Sequence, residues 1–239
     1  MTETSTSKKS FELALRSALT AARAARASAQ NNAQDAADRM VVRSYQQLRL
    51  AETHQALLVS PRYGAAARFF FTELYTTKDV SQRDRDVERV ISVLVKFLPD
   101  RALGTLAAAL EMDALSESLD AAVAHAARAL QGDVRPLKLT AERYALAYRE
   151  VGRFEDRETQ IALVETIGQA LDHLSRMRLV RGLLKLMKGP AHAAGVGELH
   201  AFLARGYDAF VAMRGAEEFI ASIVAKERTE HLRLARLAQ

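Results

Sequence analysis

Pro61, Pro99, Pro136 and Pro190 are the only prolines in 239 residues, and glycine occurs only eleven times. Between these breakers the chain is rich in alanine, leucine and arginine, residues with little or no penalty in a helix interior. No window of five to eight residues alternates apolar and polar side chains between turn signals, as a half-buried strand would. The chain is therefore restricted to helices that bury their apolar stripes against one another. An all-α fold is expected, a single bundle of about ten helices with short loops and a long N-terminal helical hairpin. With 49% apolar and 26% charged residues, a chain of this length can bury a substantial core.

Composition also removes several kinds of chemistry. There is no cysteine, so disulfides, thiolate metal sites and cysteine nucleophiles are excluded. No run approaches eighteen apolar residues, and no transmembrane segment is expected. Glu12, Arg16, Arg23 and Arg26 interrupt the region that would have to form a secretory signal, so a cytoplasmic location is expected. A net charge of +5 permits an anionic partner without requiring one.

Residues 1–9 read as a polar tail and 10–59 as an N-terminal helical hairpin, broken at Asn31-Asn32, with residues 60–239 as the helical core domain. The first helix of the hairpin, rich in alanine and arginine, reads as exposed. The second is expected to present Val41, Tyr45, Leu48 and Leu58 on one side. Ser60-Pro61 is a helix start, and Ser81-x-x-Asp84 resembles a capping box. Helix is expected to end at about Glu111 and restart at Asp113. The 132–136 segment reads as a hinge loop, and Gly189-Pro190 as the end of another helix.

Within the core domain, RFFFTELY at 68–75 resembles the element that names the bacterial "FFLEELY motif" family, with Phe71 and Thr72 where that family usually has leucine and glutamate. ALEMDALSESLD at 109–120, AYREVGR at 147–153 and the stretch 186–219 are similar to the same family. Residues 1–59 carry no comparable likeness. The resemblance implies membership of a family with no assigned activity, and no chemistry.

Four constellations bear on function. On the helix from Pro61, apolar side chains including Phe69, Phe70 and Phe71 cover more than half the circumference, and only Ala65, Arg68 and Thr72 share the remaining side. They read as packed core or as an aromatic pocket. On the following helix Arg83 and Asp84 project toward the inner face, an ion pair at a helix start or, with Arg68, Tyr75 and Asp79, a polar site. Arg178, Arg181, Lys185 and Lys188 form a basic stripe on one helix face, either solvated or offered to an anionic partner. Gly206, mid-helix among Leu199, Phe202, Leu203 and Phe210, marks a close approach by another helix or by a ligand.

No metal site is expected, since Glu227-x-x-Glu230-His231 is one incomplete set and no histidines stand at i, i+4. No motif names a cofactor or catalytic residue. The sequence therefore supports a non-catalytic macromolecule-binding or scaffold module. Its partner would be a protein, a second copy of the chain, or a nucleic acid or membrane surface met by the basic stripe. The alternative is a small-molecule-binding protein or enzyme with a pocket near residues 68–98.

Overall fold

The computed structural model describes residues 2–29, 32–132 and 134–236. Among them eleven α-helices and one π-helical segment occur, and no strand. The helices are α1 (Thr2–Ala29), α2 (Ala33–Thr53), α3 (Gln55–Leu58), α4 (Gly64–Arg68), α5 (Ser81–Phe97), α6 (Asp100–Gln131), α7 (Ala141–Val151), α8 (Phe154–Ser175), α9 (Arg178–Ala193), α10 (Gly197–Met213) and α11 (Glu217–Arg236). The π segment, Phe69–Leu74, continues α4.

α6 is the axis of the molecule. Its 32 residues reach about 48 Å, and α1, α2, α7 and α8 all pack against it. α1 and α2 lean chiefly on α6 and only lightly on one another. Nothing between Glu111 and Asp113 breaks the helix, contrary to the expected restart, because neither glycine nor proline occurs there and the Asp113 carboxylate pairs with Arg26 instead of capping.

Three apolar clusters make up the core, two of them including residues of α6. Phe69, Phe70, Phe71, Phe210, Phe219 and Ile223 join α4, its π extension, α8, α10 and α11. Val42, Val123, Tyr144, Tyr148 and Leu234 join α2, the C-terminal half of α6, α7 and the end of α11. Leu15, Leu19, Val87, Ile91, Leu103 and Leu199 join α1, α5, the N-terminal half of α6 and α10.

The π segment explains how three consecutive phenylalanines are all buried. An i→i+5 ladder turns less per residue than an α-helix, so adjacent side chains fan over a narrower arc; the Tyr75 N–H closes it on the Phe70 carbonyl at 3.1 Å. Helix does not start at Pro61 as expected: residues 61–63 form a turn, held by Ser60 Oγ accepting from the N–H groups of Arg62 and Tyr63, and α4 begins only at Gly64.

Other local expectations change. α1 is already helical from Thr2, within the stretch read as a tail. Ser81 lies inside α5, so no capping box forms; Asp79 accepts from the Ser81 N–H and Oγ at 2.9 and 2.6 Å. On α2 Leu48 faces solvent, while Arg39, Arg43 and Gln46 are buried beside Val42, because this face meets acidic residues of α6. α9 runs through Pro190 to Ala193: the proline falls in the last turn at an exposed position, where the missing hydrogen bond is tolerated. The segment read as a hinge is pinned by Gln131, which bonds the carbonyls of Val134 and Pro136 and the N–H of Lys138. Asn31, Asp133 and Leu237 lie outside the described residues.

Candidate ligand cavity

The three clusters do not close on one another, and between them lies a cavity of about 220 Å³. Phe70, Phe71 and Leu74, Leu110 of α6, Val164 of α8 and Val224 of α11 supply apolar wall. Tyr75, Arg83, Asp84, Asp113, Ser116, Tyr148, Arg157, Gln160, Glu227 and His231 supply polar wall.

Three residues singled out in the sequence stand here: Tyr75, Arg83 and Asp84. Three others do not. Arg68 is exposed and reaches back to the Leu58 carbonyl at 3.3 Å. Asp79 borders a separate hollow of about 30 Å³. Gly206 receives the Phe69 ring, whose Cζ would lie 2.7 Å from an added Cβ; its close neighbour is a side chain of the aromatic segment.

Arg83 and Asp84 do not form the expected pair. Side chains one residue apart on a helix diverge by about 100°, so they cannot face each other. Asp84 turns inward to Arg26 of α1, which also holds Asp113 at 2.5 Å. Arg83 lies over the Phe202 ring, 5.3 Å from its centre.

Arg26 opens a buried ionic network that the sequence reading missed. Arg39 and Arg43 of α2 both bind Glu117, Arg43 at 2.7 Å, and Arg43 also caps the Thr76 carbonyl at 2.7 and 3.1 Å. Tyr75 donates to Asp120 at 2.8 Å beneath the Arg43 guanidinium. Burial pushes the Tyr75 hydroxyl well above its usual pKa, so it stays protonated. The signal for this network was present: Asp113, Glu117 and Asp120 share one face of α6 at spacings of four and three, opposite arginines at Arg39 and Arg43.

The far end of the cavity is set by α7, α8 and α11. Arg157 continues the apolar stripe of Ile161 and Val164 and is buried, at 7% exposure. Its guanidinium lies 5.1 Å from the centre of the Tyr148 ring. One nitrogen donates to Gln160 Oε1 at 3.1 Å, and Gln160 is fixed in turn by Ser116 Oγ at 2.7 Å. The Tyr148 hydroxyl lies 2.6 Å from His231 Nδ1. Burial pushes the imidazole below its usual pKa against the pull of Glu158, and burial pushes the Tyr148 phenol up, leaving both uncharged near neutral pH. This end therefore offers a fixed cation and neutral hydrogen-bonding groups beside an apolar wall. That is equipment for recognition.

Glu227 is held by Arg49 at 2.8 and 3.1 Å and by His54 Nε2 at 2.8 Å. Burial raises its pKa, but the His54 hydrogen bond and the Arg49 charge outweigh burial and hold it down to about 2. A depressed folded-state pKa stabilises the fold above the unfolded value of 4.5, and that stability is lost as pH falls toward about 2. The expected contribution is roughly 3 kcal/mol at neutral pH, at about 1.4 kcal/mol per unit. Denaturant unfolding between pH 5 and 2 should thus fall more steeply for the wild type than for Glu227→Gln. Parallel curves would show that Arg49 and His54 do not hold this carboxylate in solution.

Glu230 pairs with Arg233 and His231 with Tyr148, so the C-terminal acidic set diverges. No group of three or more His, Asp or Glu placed to hold a metal ion occurs among the described residues. No helix among them is long and apolar enough to cross a membrane.

Residues 25–238 match a family described as a domain of unknown function, DUF8198. The chain belongs to the DUF8198 family. No curated protein and no solved structure is significantly similar to it. The DUF8198 match contains every residue of the cavity wall and the whole Arg26–Glu117 network, leaving out only the greater part of α1.

Proposed function

We propose that this protein binds a small, largely apolar molecule in the cavity between its three clusters. One observation carries the reading: a space of about 220 Å³ whose wall mixes aromatic and aliphatic side chains with a few fixed polar groups. An apolar cavity of about 150 Å³ already admits benzene, so this volume suits a ligand on the order of ten non-hydrogen atoms. Xenon-pressure NMR tests the reading. Methyl resonances of Leu74, Val164, Ile223 and Val224 should shift and saturate, while those of Leu15 and Leu19 stay still. Equal, non-saturating shifts throughout would remove it.

A second surface supports a macromolecular partner. Arg178, Arg181, Lys185 and Lys188 are all exposed on α9, and among the described residues none has an ion-pair partner. Leu179 and Leu186 on the same helix are 55% and 71% exposed. Free cations beside exposed leucines suit an anionic lipid surface better than a nucleic acid. The triple change Arg178→Gln, Arg181→Gln, Lys185→Gln should leave the unfolding free energy within about 0.5 kcal/mol, since exposed charges contribute little. Vesicles containing phosphatidylserine at low salt should retain the wild type and release the triple variant. Equal retention would remove the role.

A further inference from the structure

The carboxylates of the cavity wall are already spoken for. Asp84 and Asp113 bind Arg26, Glu227 binds Arg49, and Glu230 binds Arg233. Arg157 has no such partner. Among the described residues no carboxylate pairs with it, and its Nη2 is buried without a hydrogen bond. A guanidinium taken out of water without a counter-charge is strongly disfavoured, and hydrogen bonding by water leaves its charge uncompensated. Yet this one is held in place rather than swung out: it lies over the Tyr148 ring, Gln160 fixes one nitrogen, and Ser116 fixes Gln160. Arg83, the other wall arginine without a close ion pair, is half-buried and meets water directly.

We infer that the molecule bound in this cavity is an amphiphilic monocarboxylate, its carboxylate paired with Arg157 and its apolar body lying along Phe70, Phe71, Leu74, Val164 and Val224. The inference rests on the proposed binding role of the cavity and adds the chemical class of the ligand. One negative charge completes the pairing of the wall's buried arginines, Arg83 being half-buried and hydrated. A second charge on the same head group would share that single buried guanidinium in a wall that also carries Glu227 and Glu230, which favours a carboxylate over a phosphate dianion. A body of about eight carbons matches the volume estimated from benzene-sized cavities.

The test uses the full chain with two probes of nearly equal size, octanoate and octanol, titrated by calorimetry at neutral pH below micelle-forming concentrations. Octanoate should bind the wild type at least about tenfold more tightly, the usual scale of a charge-assisted hydrogen bond. In Arg157→Gln that ratio should fall to about one, and Arg157→Lys should keep part of the preference. If Arg157→Gln does not fold, the wild-type comparison and the lysine variant still decide. Octanol binding the wild type as tightly as octanoate overturns the inference, as does a preference undiminished in Arg157→Gln. If neither probe binds while xenon still shifts the cavity methyls, the carboxylate inference fails and the cavity reading stands. If xenon leaves those methyls untouched as well, the cavity reading fails and takes this inference with it.

Discussion

Glu117→Ala is expected to lower the unfolding free energy by about 3–5 kcal/mol, the range for removing one partner of a buried charged group. Glu117 is 2% exposed and receives both Arg39 and Arg43, themselves buried, with Arg26 3.7 Å away. Burial pushes the carboxyl up, while Arg43 and Arg39 pull it back. Deleting it leaves Arg39 without its counter-charge and Arg43 with Asp120 at 3.6 Å. α2 would keep Asp38–Arg128 and Arg43–Asp120 as polar ties to α6 but lose the one that engages two of its buried arginines at once. Urea unfolding of wild type, Glu117→Ala and Glu117→Gln reads this directly, glutamine keeping part of the hydrogen bonding. A loss below about 1 kcal/mol for the alanine variant would mean that the arginines reach solvent or another acid, and that the network does not join these helices.

Phe70→Ala should destabilise by a similar amount, about 3–5 kcal/mol, for an unrelated reason. Phe70 packs against Phe210 and Phe219, with ring centres 5.7 and 5.8 Å away, and sits edge-on to Phe69. Its removal forfeits burial and enlarges a cavity that already borders it, so the surroundings have little reason to collapse into the gap. Thr72→Ala, two residues on but exposed, should change stability by less than about 0.5 kcal/mol. Thermal and denaturant unfolding of the pair would expose a wrong register: comparable small losses at both positions contradict the inward fan of the phenylalanines.

The sequence was most legible where side chains are apolar. Absent breakers and strand alternation pointed to an all-α bundle, and the aromatic run on the Pro61 helix marked one of the three clusters. It was least legible where polar residues face inward. The rule that charge lies outside put Arg26 on an exposed helix and Leu48 on a buried stripe, and both placements reversed because α6 presents acids at Asp113, Glu117 and Asp120. Sequence spacing along one helix cannot reveal the charge of the face it will meet. The inward direction of Asp84 was readable from its distance to Val87 and Ile91, but its partner on α1, 58 positions earlier, was not. Arg157 left a readable trace, since it stands four residues before Ile161 on an apolar stripe. What lifts that arginine above an ordinary buried one is the lack of a carboxylate around it, a property of three dimensions.

Native mass spectrometry of the full chain, purified from a native-like host beside a Val224→Trp variant whose indole fills the cavity, tests the binding reading most directly. A folded wild type carrying a discrete non-covalent mass, with the variant folded and bare, is the expected result. The same bare mass for both proteins, or the same adduct on both, would contradict a ligand site between the three clusters.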